Sequence, residues 1–162
     1  MYGMQKSKEE YMEFLIEKYS NMIYRLALAR TKNKEDAEDV FQEVFLKINK
    51  KMPDFESEAH EKAWIIRVTI NLSKNIFSSS WMKNTFPLED EIKFEDEKEQ
   101  EIYFDVLALP IKYRTVIHLF YYEGFTIKQI ASILKTNENT VKTRLLRARE
   151  KLKSRLEGGF ND

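Results

Sequence analysis

The apolar positions of this chain recur at intervals of three and four residues along most of its length. That spacing places them on one face of a helix, so the chain is predicted to be all-α. Four glycines and three prolines among 162 residues also favour helices over strands. The predicted helices cover residues 11–29, 35–47, 63–77, 98–108 and 110–122, followed by a short helix from 127 and a longer one from 138.

The last third of the chain has the pattern of two helices joined by a tight turn. Thr126 precedes an apolar run and Gln129 follows three residues later, which is the signature of a capping box at a helix start. Turn-forming residues occupy 135–137, between this helix and the next. Each helix has one apolar stripe, made by Ile127, Ile130, Ala131 and Leu134 in the first and by Val141, Leu145, Ala148 and Leu152 in the second. This arrangement is typical of a helix-turn-helix that reads DNA in the major groove.

The predicted outer face of the second helix suits base recognition. It carries Asn139, Thr143, Leu146 and Arg147, and it is flanked by Lys142, Arg144, Arg149 and Lys151. An arginine can donate two hydrogen bonds to guanine, threonine can donate or accept, and leucine can contact the thymine methyl group. Between 126 and 156, nine Lys and Arg outweigh two Glu, for a net charge of +7. The alternative is a basic helix that faces only solvent.

A net charge of zero conceals an uneven distribution of charge. Residues 89–105 hold nine acidic residues and two lysines, a net charge of −7. This stretch is either a solvated linker or a segment that contacts a basic surface or repels nucleic acid. A serine run at 78–80 and Pro87 also indicate a boundary. We therefore predict two small helical domains, residues 1–82 and 98–162, joined by a flexible acidic linker at 83–97.

Several classes of function find no support in the sequence. There are no cysteines, and the two histidines, His60 and His118, have no clustered carboxylates, so no metal site is predicted. No glycine-rich phosphate loop or Ser/His/Asp arrangement is present, so we expect no cofactor, no small-molecule substrate and no catalysis. No apolar stretch is long enough to span a membrane and no signal peptide opens the chain, which predicts a cytoplasmic protein without membrane insertion.

Two helix faces in the first half of the chain are candidate binding surfaces. The helix over 35–47 carries an acidic group predicted to point away from the core, made of Asp36, Asp39, Gln42 and Glu43. It suits a basic protein groove, and the alternative is an ordinary solvated face. The helix over 63–77 has Arg67, Asn71 and Lys74 in one stripe, with Trp64 beside it. Rings and cations together suit single-stranded nucleic acid, unless Trp64 is simply a core residue.

Four motifs in chain order resemble the sigma-70 family of bacterial RNA polymerase sigma factors, in particular the small extracytoplasmic-function (ECF) type. They are residues 36–47, residues 63–71, Leu107–Pro110 with Tyr122–Phe125, and Thr140–Arg149. The resemblance implies a sigma region 2 in the first domain and a sigma region 4 in the second. It also implies that Asp36, Asp39, Gln42 and Glu43 contact the β′ clamp helices of core RNA polymerase. Region 4 would contact the β-flap, and the acidic linker would lie in the active-site and RNA-exit channel.

The resemblance further implies two contacts with promoter DNA. The −10 element would be melted, and one flipped base captured, by Phe55, His60, Lys62, Trp64, Arg67, Asn71 and Lys74. The −35 element would be read as duplex by Asn139, Lys142, Thr143, Arg144, Leu146 and Arg147. An anti-sigma factor is a possible further partner.

Two departures from the family pattern leave the −10 specificity open. The loop over residues 56–61 is acidic where relatives often carry Arg or Gly, and serines at 78–80 replace an arginine pair. Two other hypotheses remain. A stand-alone helix-turn-helix regulator would bind duplex DNA by itself but would not need the acidic helix or the melting helix. A decoy that binds an anti-sigma partner without supporting transcription would be consistent with the acidic loop.

Overall fold

The computed structural model describes residues 7–79 and 103–158, with side chains for 7–74 and 103–157. The chain divides into two compact units, Met1–Phe86 and Pro87–Asp162. Every regular element within the described ranges is a helix, as the hydrophobic pattern predicts. Some predicted features lie outside the described part of the chain. They are the linker at 83–97, the start of the helix at 98 and the side chains of the aromatic residues Phe77, Trp81 and Phe86.

The described part of the first unit contains three helices: α1 (Lys8–Thr31), α2 (Lys34–Lys51) and α3 (Glu58–Ser79). Polar side chains begin the first two, because the Ser7 hydroxyl accepts a hydrogen bond from a backbone N–H of α1 and the Asn33 amide oxygen does the same for α2. Both helices end at a residue in the left-handed conformation, Lys32 after α1 and Met52 after α2.

The three helices pack against one another around a single apolar core. Each supplies one buried stripe, which includes Leu15, Ile23 and Leu26 on α1, Val40, Val44 and Ile48 on α2, and Ile65, Ile66 and Ile70 on α3. A buried polar contact joins α1 to α3, where Arg30 Nε donates to Ser73 Oγ at 2.5 Å. This bundle fixes which faces of α2 and α3 remain exposed.

Two features of this unit differ from the sequence prediction. Helix α3 begins at Glu58, ahead of the predicted start at Ala63, because Ser57 caps it: its hydroxyl accepts from the N–H of His60 at 3.1 Å. The apolar pattern of the helix over 35–47 also predicts Phe41 and Phe45 to be core residues, but they are half-buried, and their rings meet edge to face at the rim of α2 with centroids 5.0 Å apart.

The described part of the second unit begins with helical residues 103–107 and continues through α4 (Ile111–Ile117), α5 (Ile127–Leu134) and α6 (Glu138–Gly158). The predicted helix over 110–122 is present, but its last turn, His118–Tyr122, is a π-helix. The wider turn is closed by the N–H of Glu123, which donates to the carbonyl of His118 at 3.0 Å.

A buried arginine secures the junction before α4. Arg114 Nη1 donates to the carbonyl of Leu109 at 2.8 Å, so the turn after residues 103–107 is fastened to the helix that follows it. Burial lowers the pKa of Arg114 to about 10, while Tyr103 acts in the opposite direction. The guanidinium therefore remains charged at neutral pH.

The helix-turn-helix predicted from the sequence is confirmed in detail. The capping box is complete: Thr126 Oγ1 accepts from the N–H of Gln129 at 3.1 Å, and Gln129 Oε1 accepts from the N–H of Thr126 at 2.9 Å. Lys135 makes the turn with a φ of 55°. Asn137 Oδ1 then accepts from the N–H of Thr140 at 2.7 Å and caps the start of α6. These contacts set the angle at which α6 leaves α5.

Candidate nucleic-acid interface

The outer face of α6 is the best-formed candidate surface for duplex DNA. Its buried stripe consists of Val141, Leu145 and Ala148, which pack on the rest of the second unit. The predicted reading residues lie on the other side: Asn139, Lys142, Thr143, Leu146 and Arg147 are exposed, and Arg144 is half-buried. Leu146, the apolar member of this face, has 55% of its surface exposed. The exposure of this face agrees with the sequence prediction.

The cations of α6 fall into two groups. Arg147 has no hydrogen-bond or ion-pair partner among the residues that the structure describes, so its donors are available to a ligand. Arg149 instead donates through Nε to Tyr121 Oη at 2.6 Å. Arg155 Nε lies 3.4 Å from Asp105 Oδ1. The C-terminal cations are thus partly engaged with their own unit, and Arg147 belongs to the group that faces outward.

The exposed face of α3 brings together most of the residues predicted for the −10 element. Asn71 and Lys74 are exposed, as is His60 in the first turn. The other three members of the set, Lys62, Trp64 and Arg67, are half-buried. Trp64 therefore has one side in the protein and one side open, so a base could still stack on it.

Phe55 corrects the sequence prediction. The sequence analysis includes Phe55 among the contacts with the −10 element, but only 2% of its surface is exposed. Its ring packs edge to face against His60 and Trp64, with centroid distances of 5.4 Å and 5.6 Å. The ring leaves the surface because burial of a phenyl group stabilises the short segment between α2 and α3. Phe55 supports the candidate site from beneath and does not line it.

The acidic stretch over residues 56–61, whose last four residues form the first turn of α3, is less acidic at its surface than its sequence indicates. Glu61 is fully buried, and Glu58 Oε1 forms an ion pair with Lys18 Nζ at a distance of 2.8 Å. That contact with Lys18 lowers the pKa of the Glu58 carboxyl below its ordinary value. His60 Nδ1 accepts a hydrogen bond from the N–H of Glu56 at 3.2 Å, which closes the loop. Only Glu56 of the three glutamates is left without a described charge partner.

The candidate polymerase-binding face on α2 is narrower than predicted. Asp39, Gln42 and Glu43 are exposed, as expected for a docking surface. The prediction that Asp36 lies on the same exposed face is wrong, because only 3% of its surface is accessible. Asp36 precedes Val40 by four residues and so falls on the buried stripe, at the first turn of α2, where a carboxylate is favoured by the helix dipole.

One residue of this face is missed by the sequence analysis. Leu46 has 60% of its surface exposed, the largest exposure among the described large hydrophobic residues. It lies one helical turn beyond Gln42 and two beyond Asp39, so it stands at the C-terminal end of the acidic face. The sequence shows that Leu46 follows Gln42 by one helical turn, but its exposure becomes evident only once the buried stripe of α2 is known.

The second unit also contains an apolar groove that the sequence does not indicate. Its volume is about 530 Å³, and Val106, Ile117, Leu152 and Leu156 contribute to its walls. Arg149 and Lys153 stand at its basic edge, opposed by Glu157. The groove lies along the C-terminal half of α6, away from the exposed reading residues in the N-terminal half. It is a candidate protein-docking surface separate from the DNA face.

The described residues offer little support for other kinds of site. No group of three potential metal ligands occurs in the part of the chain that the structure covers. His118 is buried, stacks on Tyr122 and lies with Nε2 3.3 Å from Glu123 Oε1, as expected for a packed histidine. Among the helices within the described ranges, none is both long enough and apolar enough to cross a bilayer.

Comparison with known proteins identifies the family of both units. Residues 15–82 match the family model for Sigma-70 region 2, and residues 106–152 match that for Sigma-70, region 4. The RNA polymerase sigma factor SigV of Bacillus subtilis is similar, with 31% identity over 77% of this chain and 78% of its own length. The ECF RNA polymerase sigma factor SigX of the same organism is 26% identical over 92% of this chain and 85% of its own.

A solved structure shows the same fold. The sigma factor RpoE of Bartonella quintana, in complex with the anti-sigma factor NepR, has a TM-score of 0.71 at 21% identity, covering 92% of this chain and 98% of that one. Both halves of the chain, their order and their surfaces therefore lead to one family. The chain belongs to the ECF group of the sigma-70 family and is an RNA polymerase sigma factor.

Proposed function

We propose that this sigma factor is a promoter-specificity subunit without catalytic activity of its own, which binds core RNA polymerase and recognises two promoter elements. The α6 face supports the proposal most directly, because it combines an exposed arginine, threonine and leucine with a capped, rigid helix-turn-helix. In this proposal Asn139, Lys142, Thr143, Arg144, Leu146 and Arg147 contact the −35 element. Arg147 and Thr143 read base edges, Leu146 contacts a thymine methyl, and the other cations neutralise phosphates.

The first unit is proposed to hold the melted −10 element. Bases of the non-template strand stack on the open side of Trp64, while Arg67 and Lys74 neutralise the backbone and Asn71 hydrogen-bonds to a flipped base. His60 and Lys62 contribute from the first turn of α3. Extrusion of a base costs a few kcal/mol, and capture of the extruded base favours the open duplex.

Two surfaces are proposed to contact the polymerase. The exposed face of α2, now defined as Asp39, Gln42, Glu43 and Leu46, docks on the β′ clamp helices through charge complementarity around one apolar anchor. The groove beside α6 receives an apolar segment of the β-flap. For promoter DNA, each unit contributes only part of the affinity, so the free protein is expected to bind it weakly.

An anti-sigma factor is a further proposed partner. The solved relative from Bartonella quintana is described in complex with one. A protein that covered the α2 face or the groove would prevent polymerase binding without contacting the DNA face.

The exchange Asp39→Arg tests the polymerase contact. It reverses a charge at an exposed position of α2, so it should abolish binding to core polymerase while leaving the helical circular dichroism spectrum unchanged. Glu13→Arg makes the same change of charge at an exposed position of α1 and is the matched control, expected to bind as the wild type does. Binding is measured by fluorescence anisotropy of the labelled factor titrated with core polymerase. Wild-type affinity in Asp39→Arg would remove this face from the interface.

A further inference from the structure

Glu61 is a fully buried carboxylate that none of the surfaces above uses. Three groups of α1 surround it. Tyr11 Oη donates to Glu61 Oε2 at 2.5 Å, and Tyr19 Oη donates to Glu61 Oε1 at 2.7 Å. Lys18 Nζ lies 3.7 Å from Oε1 and also pairs with Glu58. Each carboxylate oxygen of Glu61 is thus bonded to a different tyrosine of the same neighbouring helix.

This arrangement restrains α3 in two directions at once. A carboxylate is retained in a protein interior only when it is hydrogen-bonded and near a compensating charge, and hydrogen bonds to an ionised group are about twice as strong as neutral ones. Tyr11 and Tyr19 are about two helical turns apart on α1. Because these two tyrosines hold both oxygens of Glu61, α3 cannot tilt or slide along α1 without breaking one of the two hydrogen bonds.

The turn that Glu61 fixes also carries the segment beside the proposed −10 site. The N–H of Glu61 donates to the carbonyl of Ser57 at 3.0 Å, and the Ser57 hydroxyl accepts from His60. His60 in turn accepts from the N–H of Glu56, and its ring packs on Phe55. A continuous set of contacts therefore runs from the tyrosines of α1 through Glu61 to the loop.

We propose that Glu61 is a positioning residue for capture of the −10 strand, and that the Tyr11–Glu61–Tyr19 clamp holds the loop and the start of α3 in the binding arrangement before DNA arrives. The inference rests on the proposed function of the α3 face. A site held in place by its supporting contacts binds more tightly because less ordering is required when the ligand arrives. The clamp contacts neither DNA nor polymerase itself.

The test uses the holoenzyme formed from core polymerase and the full chain carrying Tyr11→Phe and Tyr19→Phe together. These changes remove both donors and keep both rings. Two quantities are measured at a temperature where the variant is folded: affinity for a single-stranded −10 oligonucleotide, and open-complex formation by permanganate reactivity of −10 thymines. Both should fall on the order of tenfold, because small misplacements of a binding group are costly. Affinity for core polymerase and for a −35 duplex should stay at the wild-type level.

Two further variants separate positioning from general stability. Ile23→Val removes a buried methylene from α1 at a site without a hydrogen bond to Glu61, so it should lower the melting temperature but keep −10 affinity. Glu61→Gln can still accept from one tyrosine and donate to the other, so it should keep more −10 affinity than the double variant. Wild-type −10 affinity in the double variant, or a loss no larger than that of Ile23→Val, would overturn the clamp. Failure of the wild-type holoenzyme to open any promoter would overturn the proposed function itself.

Discussion

Arg147 and Lys151 are cations one helical turn apart on α6, and we propose different tasks for them. Arg147 is exposed on the same face as Thr143 and Leu146, where base edges are within reach of a helix in the major groove. Lys151 Nζ lies 5.7 Å from the centre of the Tyr113 ring, at the side of the helix. We therefore expect it to contact a phosphate rather than a base. The loss of affinity on replacing Arg147 should therefore depend on the DNA sequence, whereas the loss on replacing Lys151 should not.

We predict that Arg147→Ala costs about 1–3 kcal/mol at one position of the −35 element and relaxes specificity there. Lys151→Ala should weaken all duplexes about equally and reduce the salt dependence of binding. Both are measured by competition of −35 duplex variants for the holoenzyme at two salt concentrations. Equal losses for the two variants on every duplex would show that Arg147 does not read bases.

Single-residue roles were predictable where helical periodicity alone decides exposure. The outer face of α6 follows from its apolar stripe, and the structure agrees with it. The predictions for Asp36 and Phe55 were wrong because they followed residue type rather than position in the fold. An aspartate on the core stripe is buried, and an aromatic ring beside a loop can fill the space beneath it. Leu46 was missed because only the polar residues of α2 were considered for its exposed face.

At the scale of elements, the second unit depends on how α5 and α6 begin. The capping box at Thr126 satisfies two N–H groups at the start of α5, and Asn137 satisfies one at the start of α6. Loss of a cap side chain costs helix or protein stability because an orphan donor is exposed without a partner. The relative angle of the two helices, and so the presentation of the reading face, depends on these short segments.

We predict that Thr126→Ala lowers the free energy of unfolding of the second unit by about 1 kcal/mol. Thr126→Ser keeps the hydroxyl and should remain within a few tenths of a kcal/mol of the wild type. Urea unfolding, followed by the fluorescence of a probe attached to the second unit, measures the difference. An unchanged midpoint in Thr126→Ala would mean that packing alone fixes the start of α5.

The sequence predicted where the elements lie more reliably than how they end. Caps at Thr126 and Asn137, the break after α2 and the order of the helices follow from local chemistry and periodicity. The early start of α3 depends on Ser57, whose capping role is hidden in an acidic stretch. The π-helical turn at His118–Tyr122 could not be foreseen, because no residue type specifies it and the packing of the surrounding side chains selects it.

At the scale of the whole molecule, the proposed function divides recognition between two units with different surfaces. The first offers an acidic docking face and a mixed aromatic and basic face, and the second a basic reading helix and an apolar groove. The charge of the whole chain conceals this division, because 27 basic residues equal 27 acidic ones. The chain that joins the units limits which separations of −10 and −35 elements both can contact together. Neither unit alone would then select a promoter.

The most direct test of this division is run-off transcription from a promoter library by purified core polymerase, with and without the protein. The result predicted here is a set of start sites that appears only with the protein and shares two upstream elements at a narrow range of spacings. Arg147→Ala should alter the upstream element of that set and leave the downstream one unchanged. Transcripts that are the same with and without the protein, or start sites sharing a single element, would contradict promoter selection by two units.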